Sequence, residues 1–158
     1  PERDCVIRQT DLVEIVTQAV GNHRSLLIQS GVRVETEGLE RSVYTDEKWA
    51  VFILGQLLQN AARYRGEEPV VTVSARSLGK QVQLTVADNG MGIPTHELPR
   101  VFGRGFTGSN GRARGGSTGM VLYLCKKLAG FLELGLEITS EEGRGTTVTL
   151  TFPTKEAL

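Results

Sequence analysis

An acidic residue at the end of an apolar strand is the first candidate for chemistry. Hydrophobic and polar residues alternate over 82–86, and the same period of two puts Asp88 on the apolar face. A carboxylate in that position needs a hydrogen-bond donor. It either caps a turn through Asn89-Gly90 or accepts a bond from a ligand. Gly90 and Gly92 lack a Cβ, so they would let a flat ligand come close to the backbone.

Polar side chains on a helix are the second candidate. A helix beginning at Asp46 carries Gln56, Asn60 and Arg63 near its apolar stripe, at intervals of four and three residues. Such residues usually border solvent, but Asn60 lies inside the mostly apolar run 57–62, where an amide needs a partner. A ligand or a metal ion could supply it. The stripe itself is predicted to contain Trp49, Phe52, Ile53, Leu57 and Tyr64.

Positive charge and glycine are concentrated in one stretch. Between Leu98 and Leu132 there are six basic residues and no acidic one, and seven of the seventeen residues over 103–119 are glycine. This composition predicts a mobile loop that accepts an anion. The loop leads into a helix near Thr118, and free N–H groups at a helix N-terminus bind phosphate.

Several familiar motifs are excluded. Residues 103–108 match GxGxxG, but no apolar strand precedes them and no crossover unit surrounds them. The chain has no GxxxxGK[ST], and neither His23 nor His96 stands in a triad setting. The remaining parts together suggest a nucleotide. An Asn60 oxygen can ligate Mg²⁺, arginines can neutralise phosphate, and a buried Asp88 can accept the exocyclic amine of adenine.

The elements that position these residues follow from hydrophobic period and turn residues. Helices are expected from Asp11, with Glu14 completing a capping box, to Leu27, then from Asp46 and from Thr118. One or two helical turns are expected over 96–102. Strands are expected over 5–9, 32–36, 42–45, 70–75, 81–88, 134–140 and 146–152. The predicted fold class is α+β, a two-layer sandwich of one mixed, mostly antiparallel sheet with about three helices on one face.

Bulk properties predict one cytoplasmic domain. The 158 residues suffice for one core, and eighteen basic against eighteen acidic residues argue against a general nucleic-acid or membrane surface. Cys5 and Cys125 have no metal-ligand spacing and are expected to be reduced thiols. No apolar run approaches the roughly twenty residues that span a bilayer. Without an initiator Met, we expect the chain to be cut from a longer protein.

Four segments, in order and spacing, resemble the N, G1, F and G2 boxes of sensor histidine kinases. They are 57–64 (LLQNAARY), 88–94 (DNGMGIP), 101–108 (VFGRGFTG) and 117–122 (STGMVL). The match runs from about Asp11 to Phe152. The chain therefore resembles the catalytic and ATP-binding domain of a two-component sensor kinase, of the Bergerat or GHKL ATPase fold, with an ATP lid over about 89–118.

The resemblance implies a role for each matched residue. Asn60 would ligate Mg²⁺ on the triphosphate, Arg63 would contact phosphate, and both are the candidate catalytic residues. Tyr64 would line the nucleotide pocket, and Asp88 would hold the adenine amine. The other implied contacts are backbone approach at Gly90 and Gly92, packing on the base by Ile93, anchoring of the lid by Phe102 and Phe106, and phosphate contacts from Thr118, Gly119 and Leu122.

The resemblance also implies partners. Such a domain donates the γ-phosphoryl group of ATP to a histidine on a separate dimerisation domain of the same protein, which then signals to a response regulator. Neither histidine here stands in a His-Glu/Asp-x-Arg/Lys setting, so the sensor, membrane and phospho-accepting parts would lie elsewhere in a membrane-anchored protein, and this chain alone should not phosphorylate itself. Related ATPases carry Glu where this chain has Gln56, which favours transfer over hydrolysis.

Two alternatives stay open. The family usually has glycine where this chain has Val121, and a β-branched residue there could crowd the phosphates. The domain would then be a nucleotide-weak regulatory or docking module. The second alternative is a stand-alone serine kinase of the anti-sigma type, which shares the fold and a similar length.

Overall fold

The chain folds into a sheet layer covered on one face by helices. A computed structural model describes residues 5–103 and 118–155, with residues 118–120 as backbone only. Within these ranges the strands are β1 (Arg8–Asp11), β2 (Arg33–Glu37), β3 (Ser42–Thr45), β4 (Val70–Leu78), β5 (Gln81–Asp88), β6 (Gly135–Glu141) and β7 (Gly145–Pro153). The helices are α1 (Leu12–Asn22), α2 (Arg24–Gln29), α3 (Glu47–Arg63) and α4 (Thr118–Phe131), with a 3-10 helix over Thr95–Arg100.

The main sheet has five strands in the order β2-β4-β5-β7-β6. The β2–β4 pair is parallel and the other three pairs are antiparallel, so the sheet is mixed and mostly antiparallel, as predicted. In the register, Leu84 of β5 lies opposite Ala75 of β4 and Leu150 of β7. The middle strand is β5, and it ends at Asp88.

One hydrophobic core joins the sheet to α1, α3 and α4. The alternation along the strands turns every second residue toward the helices, where it is buried. The predicted inner face of α4 is confirmed, since Leu122, Cys125, Leu128 and Ala129 are all buried. The predicted two-layer fold with helices on one face is therefore confirmed. None of the helices in the described part is long and apolar enough to cross a membrane.

Helix α3 begins as predicted, but part of its predicted stripe is wrong. The Asp46 carboxylate accepts a hydrogen bond from the Trp49 N–H at 3.0 Å and caps the helix. Phe52, placed on the buried stripe by its spacing, is 36% exposed. The stripe is centred on Leu54, and Phe52 lies about 200° around the helix from it. The buried residues of α3 include Ala50, Ile53, Leu54, Leu57, Leu58 and Ala61.

The predicted edge strand over 5–9 is placed wrongly. The strand found is Arg8–Asp11, and it pairs antiparallel with β3 in a separate two-stranded sheet. Each of these strands leads into a helix within two residues, β1 into α1 and β3 into α3. Because α1 and α3 pack against each other, their preceding strands are brought side by side, away from the main sheet.

The first predicted helix is divided in two. It ends at Asn22 and resumes at Arg24, so that only α2 reaches Leu27. At the break, the His23 imidazole lies against Gly55 of α3, where a Cβ would collide with it. The capping box is not formed either. Asp11 is the N-cap of α1 but makes no capping bond, and its carboxylate accepts from the Ser42 hydroxyl at 2.8 Å instead.

Candidate functional site

Asp88 lies at the end of the middle strand with its carboxylate mostly enclosed. Its Oδ1 accepts hydrogen bonds from the backbone N–H groups of Gly90, at 2.8 Å, and Thr146, at 3.3 Å. Burial raises the pKa of Asp88, and these two backbone bonds oppose that rise. The turn-capping interpretation is thus correct for one oxygen. Within the described residues Oδ2 accepts no hydrogen bond, so it can accept one from a ligand.

The loop after Asp88 is attached to the end of α3. The Met91 N–H donates to the carbonyl oxygen of Tyr64 at 2.9 Å. Gly90 lies so close to the same carbonyl that a Cβ would collide with it. On the other side, the Asn89 side chain accepts from the Val70 N–H at 2.9 Å and donates to the Glu68 carbonyl at 3.2 Å. The Met91–Tyr64 bond therefore joins the loop after Asp88 to the end of α3, while Asp88 and Asn60 line separate clefts.

The turn between β6 and β7 closes the far side of this loop. The Gly143 N–H donates to the Met91 carbonyl at 2.8 Å. Gly92 has a φ of +71° and packs against the Glu141 carbonyl, where a Cβ would collide. Both glycines are thus required for close packing of protein backbone, and their predicted role in letting a ligand approach stays a prediction. That packing gives the loop a fixed course past Asp88.

Ser140 and Thr146 are site residues that sequence reasoning missed. The Ser140 hydroxyl accepts from the Ile93 N–H at 2.7 Å and lies 2.9 Å from the Thr146 hydroxyl. Thr146 is the direct partner of Asp88 in the β5–β7 register and shares its face of the sheet. The available signal was a polar residue at an inward position of an alternating strand, which is the same signal that identified Asp88.

A cleft beside α3 contains the predicted Asn60 and Arg63. It has a volume of about 320 Å³ and is lined by Leu26, Gln59, Asn60, Ala62, Arg63, Arg65 and Val121. The Oδ1 atom of Asn60 is buried and has no hydrogen-bond partner among the described residues. An amide oxygen in this state is costly unless a ligand or cation completes it. The arrangement fits Mg²⁺, which takes oxygen ligands.

Tyr64 lies at the C-cap of α3, next to Arg63. Its hydroxyl is buried and without a partner in the part of the chain that the structure covers. Burial raises the pKa of Tyr64, and the neighbouring Arg63 charge opposes that rise. Tyr64 is therefore a neutral donor with an open hydrogen bond, whereas the exposed Arg63 is a cation at the rim of the cleft.

The other predicted residues divide into four groups. Ile93 and Phe102 are half-buried and pack on the core, with Lys126 Nζ over the Phe102 ring at 5.4 Å from its centroid. Leu122 is 1% exposed, so its side chain is part of the core and does not face the cleft. Thr118 and Gly119 form the first turn of α4. Phe106, with nearly all of the predicted 103–119 loop, lies outside the described residues.

Val121 and Gln56 line two different clefts. Val121 lines the cleft that contains Asn60, as the resemblance implied. Gln56 instead lines a separate cleft of about 460 Å³ with His23, Trp49 and Phe52. Gln56 is one turn before Asn60 on α3 but lines the other cleft, and the expectation that Gln56 favours transfer over hydrolysis stays a prediction.

A family model described as histidine kinase-, DNA gyrase B- and HSP90-like ATPase matches residues 45–156. The match begins at the last residue of β3 and extends beyond β7, so it contains both the Asn60 helix and the Asp88 strand.

Similar proteins include sensor kinases. The chain is 39% identical over 152 residues to the sensor protein BceS of Halalkalibacterium halodurans, and the match covers 96% of this chain and 45% of that protein. The fold matches the mycobacterial sensor histidine kinase MprB with a TM-score of 0.81, at 22% identity over 95% of this chain and all of that one. It also matches the histidine kinase ThkA in complex with the response regulator TrrA, with a TM-score of 0.76, at 17% identity over 96% of this chain and 42% of that one.

Proposed function

This chain belongs to the histidine kinase-, DNA gyrase B- and HSP90-like ATPase family, and from that premise we propose that it is the ATP-binding catalytic domain of a sensor histidine kinase. In this proposal it binds ATP and donates the γ-phosphoryl group to a histidine on another domain. The supporting observation is the connection of two open acceptors. Asp88 Oδ2 and the buried Asn60 Oδ1 lie on segments joined by the Met91–Tyr64 backbone bond.

The Asp88 end would recognise the base. A carboxylate whose first oxygen is held by two backbone N–H groups can offer its second oxygen to an exocyclic amine of adenine. Ile93, whose backbone is tied to Ser140, would pack against the face of the base. Because Gly90 and Gly92 have no side chain, the loop would pack closely on its neighbours and leave room for the base to reach Asp88.

The Asn60 end would hold the phosphates. Asn60 is the residue that fits Mg²⁺, and such an ion neutralises negative charge on the transferring phosphoryl group. Arg63, exposed at the rim of the same cleft, would add a positive charge, and Tyr64 could donate its open hydroxyl bond. Phosphoryl transfer depends mainly on positioning and charge neutralisation, so these residues suffice without a strong base. Thr118, Gly119 and the backbone of Leu122 remain proposed contacts of the phosphates, and Phe102 and Phe106 remain proposed anchors of the lid.

The chain spans less than half of the length of the curated relatives it matches. We propose that further parts of the protein supply a sensor, a membrane anchor and a dimerisation domain with the accepting histidine. This chain would be their cytoplasmic catalytic domain. Once the histidine is phosphorylated, the protein would signal to a response regulator, by analogy with the ThkA complex.

Phosphotransfer in the full-length protein tests this function. With γ-labelled ATP and Mg²⁺ we expect phosphate that is acid-labile and alkali-stable, as for phosphohistidine, and we expect Asn60→Ala to lower its rate about a hundredfold. The matched control is Asn22→Ala, an amide on the separate cleft, which should label like the unchanged protein. Alkali-labile, acid-stable phosphoserine, or full labelling of Asn60→Ala, would contradict the proposal.

A further inference from the structure

Ser140 makes three hydrogen-bond contacts that meet at the base end of the site. It lies near the end of β6, half-buried on the inner face, directly opposite Thr146 of β7. Its hydroxyl oxygen is 2.7 Å from the Ile93 nitrogen, 2.8 Å from the Gly145 carbonyl oxygen and 2.9 Å from the Thr146 hydroxyl oxygen. We call these contacts the Ser140 junction.

The donors and acceptors of the junction have one consistent assignment. A serine hydroxyl has one proton and two acceptor positions. The Ile93 N–H fills one acceptor position, and the Gly145 carbonyl requires the proton. The remaining contact is satisfied when the Thr146 hydroxyl donates to Ser140. Ser140 is then saturated and has no bond left for a ligand, whereas the Thr146 hydroxyl faces the Asp88 side of the sheet with acceptor positions only.

Two parts of the proposed base site are linked to the Ser140 junction: the loop at Ile93 and, through Thr146, the Asp88 carboxylate. The Ile93 backbone lies in the loop that passes Asp88, and the Thr146 N–H is one of the two groups that hold Asp88 Oδ1. The Gly143–Met91 bond ties the same loop to the same turn through backbone alone. Ser140 adds the side-chain link, at the residue where the loop would contact the base.

We propose that Ser140 is a positioning residue for base recognition, one that sets the spacing between Ile93 and Asp88 and commits the Thr146 hydroxyl to act as an acceptor. This inference rests on the proposed function. When Asp88 and Thr146 both present acceptors to position 6 of a purine, an amino group there, which donates, is favoured over an oxo group, which accepts. Loss of the Ser140 hydroxyl frees the Thr146 proton and releases Ile93, so selectivity falls along with affinity.

A pair of variants with the same side-chain shape isolates the hydroxyl. Ser140→Thr and Ser140→Val are both β-branched and suited to a strand, and they differ in the hydroxyl alone. Each is titrated by calorimetry with non-hydrolysable analogues of ATP and of inosine triphosphate, which carries oxygen at position 6. We expect Ser140→Val to bind the ATP analogue about tenfold more weakly than Ser140→Thr and to have a smaller preference for it over the inosine analogue.

Thr149→Val is the control for removing a strand hydroxyl. Thr149 lies on the other face of β7, three residues from Thr146, opposite Thr85, and its loss should leave affinity and base preference unchanged. An unaltered base preference in Ser140→Val would overturn the inference while leaving the proposed function intact. If the unchanged protein binds neither analogue, the proposed function fails and this inference fails with it. If it binds both equally, there is no base preference for Ser140 to set, so the inference fails while ATP binding stands.

Amide hydrogen exchange without nucleotide tests the geometry separately. In Ser140→Ala, the mildest truncation, the Ile93 amide should exchange at least about tenfold faster because it has lost its acceptor. The Met91 amide, bonded to Tyr64, should stay as slow as in the unchanged protein. Equal acceleration at both positions would indicate general loosening and would contradict a specific positioning role.

Discussion

At the scale of the residue, the proposed function depends on Asp88, whose buried position suits the proposed binding of adenine but lowers stability. A carboxylate with a raised pKa holds its proton more tightly in the folded than in the unfolded state. Its contribution to stability therefore falls as the pH rises from the unfolded-state pKa, roughly 3.9, through the folded pKa, and is constant above that. At neutral pH the ionised Asp88 lowers the stability of the domain.

The substitution Asp88→Asn tests whether the Asp88 charge strengthens ATP binding while it lowers the stability of the domain. The amide keeps an oxygen for the Gly90 and Thr146 N–H groups but carries no charge. We expect the nucleotide-free variant to be at least as stable as the unchanged domain at pH 7, with the difference vanishing below about pH 4. Because a bond to a charged acceptor is lost, ATP affinity should fall about tenfold to a hundredfold. Urea unfolding at both pH values and calorimetry measure the two effects. Lower stability at pH 7 would contradict the argument.

Single residues were predictable from the sequence where the signal is local. Period-two alternation pointed to Asp88, and an amide within an apolar helical run pointed to Asn60, and each has an acceptor oxygen without a partner among the residues that the structure describes. Ser140 was missed because its partners are brought to it by the sheet register and by a loop 47 residues away. For Gln56, helical spacing from Asn60 does not say which cleft it lines, and the structure adds that it is the cleft with His23 and Trp49.

At the scale of the element, the two N-caps of the long helices differ in what their carboxylates do. Asp46 accepts from the Trp49 N–H and also from the Val6 N–H, so it caps α3 and holds the chain before β1. Asp11 at the start of α1 makes no capping bond. The sequence shows an aspartate at both places, and the distinction arises because Ser42 of β3 lies beside Asp11.

This difference predicts unequal costs of truncation. We expect Asp46→Ala to lower the free energy of unfolding by about 1–2 kcal/mol and the melting temperature by about 2–4 °C per kcal/mol. The matched control is Asp11→Ala, which should cost about 0.5 kcal/mol or less because the Ser42 contact is exposed. Denaturant unfolding monitored by circular dichroism measures both, and equal losses in the two variants would show that the side-chain cap of α3 is not what matters.

Element boundaries followed the sequence where local patterns decide them. The strands Ser42–Thr45 and Gln81–Asp88 and the start of α3 are found as predicted. The break in the first helix and the separate β1–β3 sheet depend on contacts between distant segments, such as His23 against Gly55. Helical spacing alone does not contain that information.

At the scale of the whole molecule, the sheet and helices carry the two ends of the site on parts that are bonded together. The proposed base end lies at the ends of β5, β6 and β7, and the Asn60 cleft lies beside α3, with the Tyr64–Met91 bond between the two segments. The predicted α+β sandwich is confirmed, as is the resemblance to sensor kinases. The resemblance to sensor kinases was inferred from the four matched boxes, because composition and charge alone are compatible with many other α+β domains.

The most direct test of the account is calorimetric titration of this chain with a non-hydrolysable ATP analogue, with and without Mg²⁺. We predict micromolar-range binding that weakens at least tenfold when Mg²⁺ is removed or Asn60 is changed to Ala, while Asn22→Ala binds normally. Val121→Gly, which enlarges the cleft beside Asn60, should bind at least as tightly as the unchanged chain. No binding and no thermal stabilisation at millimolar nucleotide, or binding indifferent to both Mg²⁺ and Asn60, would contradict the central claim that this fold binds ATP for phosphoryl transfer.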